Sequence, residues 1–269
     1  MTQNFSPYTQ FLGPVIEIAR RAGAAILEIY DSGVIELAEK ADASPLTQAD
    51  LRAHHTIIEG LSALRPDWPV LSEESADIDF SERSHWSRYW LVDPLDGTRE
   101  FLSHNGEFTV NIGLIDGHEP VLGVVYAPAR QLLYYGVPGA GAFRALGDGA
   151  AAAIVVTRHA PTPLRVVGSR SHRGDSLDGL LSQLGSHQLI AVGSSLKLCM
   201  VAEGSADLYP RLGATCEWDT AAAHAVVLAA GGLVTTTTGT PLTYNSHPEL
   251  LNPHFLVFAD RERTWHRYL

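Results

Sequence analysis

An apolar run, Tyr89-Trp90-Leu91-Val92, leads directly into Asp93-Pro94-Leu95-Asp96-Gly97. The run reads as a strand that delivers Asp93 at its end. Pro94 then fixes the backbone, Asp96 returns a second carboxylate to the same region, and Gly97 allows a tight turn with close backbone approach. Hard divalent cations need several rigidly held oxygens, and magnesium sits well between one or two carboxylates and a substrate phosphate. The Leu95 carbonyl, between the two acids, is a further oxygen of that kind, and the Gly97 and Thr98 amides are placed to face an anion. Taken alone, the pattern also fits an acidic turn between strands, because Asp, Pro and Gly all populate turns.

The rest of the chain limits what such a site can serve. Its 269 residues, 45% hydrophobic and 18% charged, suffice for one substantial core or for two layers sharing a cleft. A formal net charge of -11 with no Lys/Arg block disfavours a nucleic acid polymer, which needs a basic footprint. A small phosphate ester stays compatible if metal ions supply the positive charge. The two cysteines, Cys199 and Cys216, have no ligand spacing, so neither a disulfide framework nor a zinc site is expected, and a reducing cytoplasm fits. The opening residues do not read as a signal peptide. The apolar stretch from Ala221 to Val234 is interrupted by His224 and two glycines and is too short to span a bilayer, so no integral membrane segment is expected.

Leu12, Val15, Ile16, Ala19, Ala22, Ile26 and Ile29 recur at helical spacing, which predicts an amphipathic opening helix. A second helix is expected over Pro45–Leu64, with Thr47 and Asp50 as a T-x-x-D capping signal. Short apolar runs between turns predict strands from about Val70 to Val156. From Leu164 onward, strands alternate with helices over 175–184, 194–204 and 219–230. The turn-rich segment Ala142–Pro163 is the expected boundary between an α+β half (1–150) and an α/β half (151–269), packed as one compact unit.

Asp93-Pro-Leu-Asp-Gly-Thr-Arg-Glu-Phe101 resembles the D-P-[ILV]-D-G-T segment of the inositol monophosphatase superfamily. Two further family elements occur in order: Leu71-Ser-Glu-Glu-Ser75 upstream and Glu217-Trp-Asp-Thr-Ala-Ala-Ala223 downstream. Either one alone has a plainer reading, as a solvated Glu pair and as an acid capping a helix. Together they extend the resemblance over nearly the whole chain. It implies an α+β fold, a layered αβαβα sandwich of the sugar phosphatase type. It also implies two Mg2+ ions, or three. Glu73, Asp93 and the Leu95 carbonyl would hold one; Asp93, Asp96 and Asp219 would hold the second. Glu73 and Thr98 would orient the attacking water, and Asp50 would hydrogen-bond Thr98, although Asp50 is equally an ordinary capping-box acid. Leu95, Asp96, Gly97, Thr98 and Asp219 would also touch the substrate.

For the substrate itself, Gly193-Ser-Ser-Leu-Lys197 offers a glycine turn, hydroxyls and a helix start with a lysine one turn on, suited to a second anion. Ser194 reads equally as a helix cap and Lys197 as a solvated charge. The segment resembles the nucleotide 5'-phosphate site of the family's 3'(2'),5'-bisphosphate nucleotidase branch, to whose further contacts His172 and Arg211 correspond. Arg99-Glu-Phe101 and Asn105-Gly-Glu-Phe-Thr-Val-Asn-Ile112 also look most like that branch. The resemblance therefore implies hydrolysis of adenosine 3',5'-bisphosphate to AMP and phosphate, with the sulfated analogue as a second substrate. The enzyme would be a cytoplasmic monomer or homodimer, or peripheral at the inner membrane's cytoplasmic face. The alternatives are an inositol or sugar phosphatase of the same fold, and a non-catalytic nucleotide-binding sensor.

Overall fold

A computed structural model describes residues 6–33, 37–39, 45–170 and 175–269. In chain order the elements are α1 (Leu12–Ser32), β1 (Leu37–Glu39), β2 (Pro45–Thr47), α2 (Gln48–Leu64), β3 (Val70–Ser72), α3 (Phe80–Arg83) and β4 (Arg88–Asp96). They continue with α4 (Thr98–Leu102), β5 (Thr109–Asp116), β6 (Glu119–Ala127), β7 (Leu132–Val137), β8 (Gly141–Leu146) and β9 (Ala152–Ile154). The second half contains β10 (Leu164–Ser169), α5 (Asp175–Gln183), β11 (His187–Val192), α6 (Leu196–Ala202), β12 (Leu208–Arg211), α7 (Glu217–Ala229), β13 (Leu233–Thr236) and β14 (Phe255–Phe258).

Strands β3 to β9 form one seven-stranded sheet in sequential order; β3 pairs parallel to β4 and every later pair is antiparallel. A five-stranded mixed sheet follows, ordered β11-β10-β12-β14-β13. Period-two alternation assigns each strand's side chains to two different cores. Trp90 and Val92 of β4 join the apolar faces of α1 and α2, whereas Tyr89 and Leu91 point the other way, toward α6 and α7. In the smaller sheet Val167 and Val257 share that middle core, while Val166, Leu256 and Phe258 pack against Leu177, Leu180 and Leu181 of α5. The layers therefore run α1/α2, large sheet, α6/α7, small sheet, α5, which is the expected αβαβα sandwich.

Three local expectations shift. α2 begins at Gln48 rather than Pro45, because Thr47 is its extended N-cap (φ -116°, ψ 164°) and a helix starts only beyond its cap. Pro45–Thr47 is β2 instead, paired with β1. Strand β8 lies inside the segment that reads as turn-rich; Gly-Ala-Phe-Arg-Ala-Leu is too poor in β-branched residues to advertise a strand. The large sheet runs on to Ile154 in β9, and the small one opens at Leu164.

The middle layer sits tight against the sheet. An added Cβ on Gly123 would lie 1.9 Å from the Ala222 carbonyl oxygen, and one on Gly113 would lie 3.1 Å from the Ala222 amide nitrogen. Only glycines beneath the alanine run of α7 permit this approach, and it fixes where the first turn of α7 lies relative to β4. Neither cysteine is in a disulfide, and no helix among the described residues is long and apolar enough to cross a membrane.

Candidate active site

Asp93 and Asp96 are three residues apart, so a regular strand would point them to opposite faces. The register shows how both reach one cleft. Asp93 pairs with Asn111 and Asp96 with Thr109, three steps on β4 against two on β5, and this is a β-bulge. The extra residue restores the parity. Pro94 is tolerated in a central strand only because the bulge relieves it of a ladder hydrogen bond. Leu95 packs its side chain into the core under α1 and α2 yet lines the cleft, so its backbone is what it offers there. Gly97 follows at φ +91°, a left-handed geometry that an L side chain resists, and turns the chain into α4 with Thr98 as its first residue.

The cleft has a volume of about 280 Å³, and its lining includes Glu73, Asp93, Asp96, Thr98 and Asp219. Glu73 arrives at the end of β3, in the strand next to β4. Asp219 arrives on the first turn of α7, where its carboxylate accepts the Cys216 amide at 2.9 Å. It stands at the third helical position, as the reciprocal half of a capping box rather than as the N-cap. Asp93 accepts the Leu95 amide at 3.0 Å, and Asp96 the Ser195 amide at 2.6 Å. Each of the three aspartates thus gives one oxygen to a backbone amide, which orients it, and retains a second.

These acids are crowded. Burial pushes the Asp93 carboxyl well above its usual range, and the charges of Glu73, Asp96 and Asp219 add to the shift. Burial likewise raises Asp219 to about 8, helped by Asp96 and Glu73. Asp96 rises only to about 6, because Lys197 and the Ser195 amide offset part of its burial. As the side chains stand, no group of three or more His, Cys, Asp or Glu among the described residues is arranged to hold a metal ion. The mutual shifts nonetheless establish that the acids are electrostatic neighbours. The donor set fits a hard cation: it is all oxygen, and it is short of positive charge where a cation would relieve the repulsion.

Ser194, Lys197 and Arg211, from the second half of the chain, line the same cleft. The helix-cap reading of Ser194 fails, since α6 starts at Leu196, and Ser194 sits before it at φ +48° with its hydroxyl buried and without a hydrogen-bond partner. Nor is Lys197 a solvated charge. It is 6% exposed, donates from Nζ to the Ser194 carbonyl and lies 5.7 Å from the Tyr209 ring centre. Burial lowers it to about 8, with Asp96 pulling it back up. Arg211, at the end of β12, also lines the cleft and hydrogen-bonds the Ala214 carbonyl. α6 spans seven residues, so the cationic side chains rather than a long helix dipole carry the positive charge here.

Two expected residues stand apart. Asp50 does not line the cleft; its carboxylate takes the Thr47 amide at 2.8 Å and the Thr47 hydroxyl at 2.6 Å, as the capping box requires. His172 lies outside the described residues. Sequence reasoning passed over Ser169, Ser195, Tyr209 and Thr215, which also line the cleft, and it assigned no role to Glu107, Thr109 and Asn111. The signal for the last three was present: polar residues at every second position, between Phe108, Val110 and Ile112, on a strand buried on both faces.

A layered αβαβα fold with carboxylates converging from β3, β4 and α7 defines a sugar-phosphatase-type class. The inositol monophosphatase family model matches residues 8–265, and the chain belongs to that family. It is 51% identical to 3'(2'),5'-bisphosphate nucleotidase CysQ of Salmonella typhimurium over 247 residues, covering 91% of this chain and 98% of that protein. It is 50% identical to the protein of the same name from Escherichia coli K12, with the same coverage. Among solved structures, CysQ from Bacteroides thetaiotaomicron superposes with a TM-score of 0.84 at 41% identity, covering 95% of this chain and 99% of that one.

Proposed function

We propose that the chain is a magnesium-dependent 3'(2'),5'-bisphosphate nucleotidase that converts adenosine 3',5'-bisphosphate to AMP and phosphate and also accepts the sulfated analogue. The observation that carries this reading is the pairing, in one cleft, of acids at the ends of β3 and β4 and on α7 with the buried Lys197 and Ser194. An inositol monophosphate has one phosphate and no use for a second cationic end. Half identity to the CysQ nucleotidases over nearly their full length supports the same choice.

Glu73, Asp93 and the Leu95 carbonyl are the proposed ligands of one Mg2+, and Asp93, Asp96 and Asp219 those of a second. The ions supply positive charge that polarises the phosphoryl oxygens and acidifies water. The remaining work falls to the chain. The Gly97 and Thr98 amides, at the turn into α4, donate to phosphoryl oxygens. The Glu73 carboxylate and the Thr98 hydroxyl orient the attacking water, and Asp50 is the proposed hydrogen-bond partner of Thr98. The water oxygen bonds to phosphorus as the P–O3' bond breaks, and the 3'-oxygen leaves with the electron pair and takes up a proton. Ser194, Lys197 and Arg211 bind the 5'-phosphate, with His172 as a further contact.

Phosphate release from adenosine 3',5'-bisphosphate and inositol 1-phosphate, compared with Mg2+ and with EDTA, tests the reading. Fast metal-dependent release from the nucleotide alone upholds it. Preference for the inositol ester overturns the role of Lys197, and binding of nucleotide without any release would make the protein a sensor.

A further inference from the structure

Glu107, Thr109 and Asn111 alternate along the entry to β5 and are 4%, 0% and 0% exposed. Polar groups buried in a strand are costly unless they are hydrogen-bonded. All three find partners on the same short turn, Gly193–Ser195. Glu107 Oε2 accepts the Gly193 amide at 2.7 Å. Thr109 Oγ1 shares a hydrogen bond of 2.9 Å with the Ser195 hydroxyl, which donates to Asn111 Oδ1 at 2.8 Å. The turn needs such holding. Ser194 occupies a left-handed conformation that is strained for a non-glycine residue.

Glu107 is the best anchored of the three. Arg170 grips it through Nε at 2.8 Å and Nη2 at 2.9 Å, a two-pronged guanidinium–carboxylate pair, and Arg130 adds a third contact at 2.9 Å. Arg170 also donates to the Ala191 carbonyl at 2.7 Å, two residues before the turn. One carboxylate thereby ties the end of β10, the connection between β6 and β7 and the turn itself. Burial would raise its pKa, but the Arg170 hydrogen bonds, the Gly193 amide and the two guanidinium charges together hold it below the usual range. There is no slack: a Cβ on Gly193 would lie 3.0 Å from Glu107 Cβ and 2.6 Å from Glu100 Cγ.

The turn in turn lines the cleft through Ser194 and Ser195. Lys197 Nζ is held on the Ser194 carbonyl, and the unpartnered Ser194 hydroxyl sits at the turn's midpoint. We propose that Glu107, bracketed by Arg130 and Arg170, is a positioning residue that sets the affinity of the cleft for the substrate's second phosphate by fixing the Gly193–Ser195 turn. Glu107 touches no substrate; it acts through the Gly193 amide. The inference rests on the reading of Ser194 and Lys197 as the second-phosphate site.

The test compares wild type, Glu107→Ala and Glu107→Gln on adenosine 3',5'-bisphosphate and on 3'-AMP, which lacks the distal phosphate, with melting temperature read in parallel. Truncating the buried, charge-paired side chain should raise KM for the bisphosphate about tenfold or more beyond any change on 3'-AMP, with kcat much less affected. Glu107→Gln retains an oxygen for the Gly193 amide and should recover part of the loss; if Glu107→Ala does not fold, this variant is read alone for the same disproportion. Equal losses on both substrates, or a lowered melting temperature with unchanged KM, would reduce Glu107 to a structural residue and overturn the proposal. A wild-type enzyme that prefers the bisphosphate, with Glu107→Ala keeping that preference, overturns this inference alone. A wild type without the preference overturns the second-phosphate reading and this inference with it.

Discussion

The Ser195 amide donates to the Asp96 carboxylate at 2.6 Å across 99 positions of sequence. Through this bond the proposed metal-binding end of the cleft and the turn that carries Ser194 and Lys197 share one geometry. Asp96 also feels the Lys197 charge directly, which is why its carboxyl rises less than that of Asp219.

Asp93→Asn removes a carboxylate charge from the centre of the acid cluster while retaining side-chain volume and an oxygen for the Leu95 amide. Turnover should fall roughly a thousandfold, a change worth several kcal/mol at about 1.4 kcal/mol per decade, with the circular dichroism spectrum unchanged. Activity near wild type in this variant would remove Asp93 from the ligand set.

Divalent cation should stabilise the fold, because it relieves repulsion among acids that burial has already made costly. At a hundredfold excess over Kd, the gain is about 2.7 kcal/mol, visible as a higher melting temperature with Mg2+ than with EDTA. An unchanged melting temperature at millimolar Mg2+ would argue against an ion in this cluster.

Lys197→Ala should lower kcat/KM for bisphosphates about tenfold or more relative to monophosphates, since its buried ammonium in the cleft is the proposed partner of the second phosphate. Matching losses on both substrates would mean that Lys197 serves Asp96 rather than the second phosphate.

His224 is buried on α7, bonded to the Tyr244 hydroxyl at 2.9 Å, and burial lowers it to about 3. The unfolded chain protonates this imidazole near pH 6.5 and the folded chain does not, so stability is full above that pH and is lost as pH falls toward 3. Between pH 7 and pH 5 the cost from this one residue is about 2 kcal/mol. Urea denaturation of wild type and His224→Asn at both pH values should show a smaller pH loss in the variant; identical losses would mean that His224 gains its proton while folded.

Gly123→Ala places a methyl group 1.9 Å from the Ala222 carbonyl oxygen. Overpacking there should destabilise by about 3 kcal/mol and push α7, with Asp219, away from β4. A fully active, fully stable variant would show that α7 can retreat without moving the site.

Much of this was legible in the residues because the relevant signals are local. Apolar spacing placed α1, the T-x-x-D signal placed the start of α2 within three residues, and Asp-Pro-Leu-Asp-Gly marked a strand end with a carboxylate pair. Where local signals were ambiguous, local reasoning stopped. Ser194 read as well for a cap as for a ligand, and only its position before α6, at positive φ, separates the two.

The sequence by itself therefore determined the succession of helices and strands and the acid-bearing strand end, since these depend on residues close together in the chain, and its motifs carried the family resemblance that implied the layers. Tertiary structure alone decided that Asp93 and Asp96 share a face, because that depends on a bulge defined against β5, and a one-residue slip in pairing reverses every side chain. It also decided that Glu107, Thr109 and Asn111 meet Gly193–Ser195. Hydrogen bonds between distant segments are set by which elements become neighbours, and no local propensity encodes that.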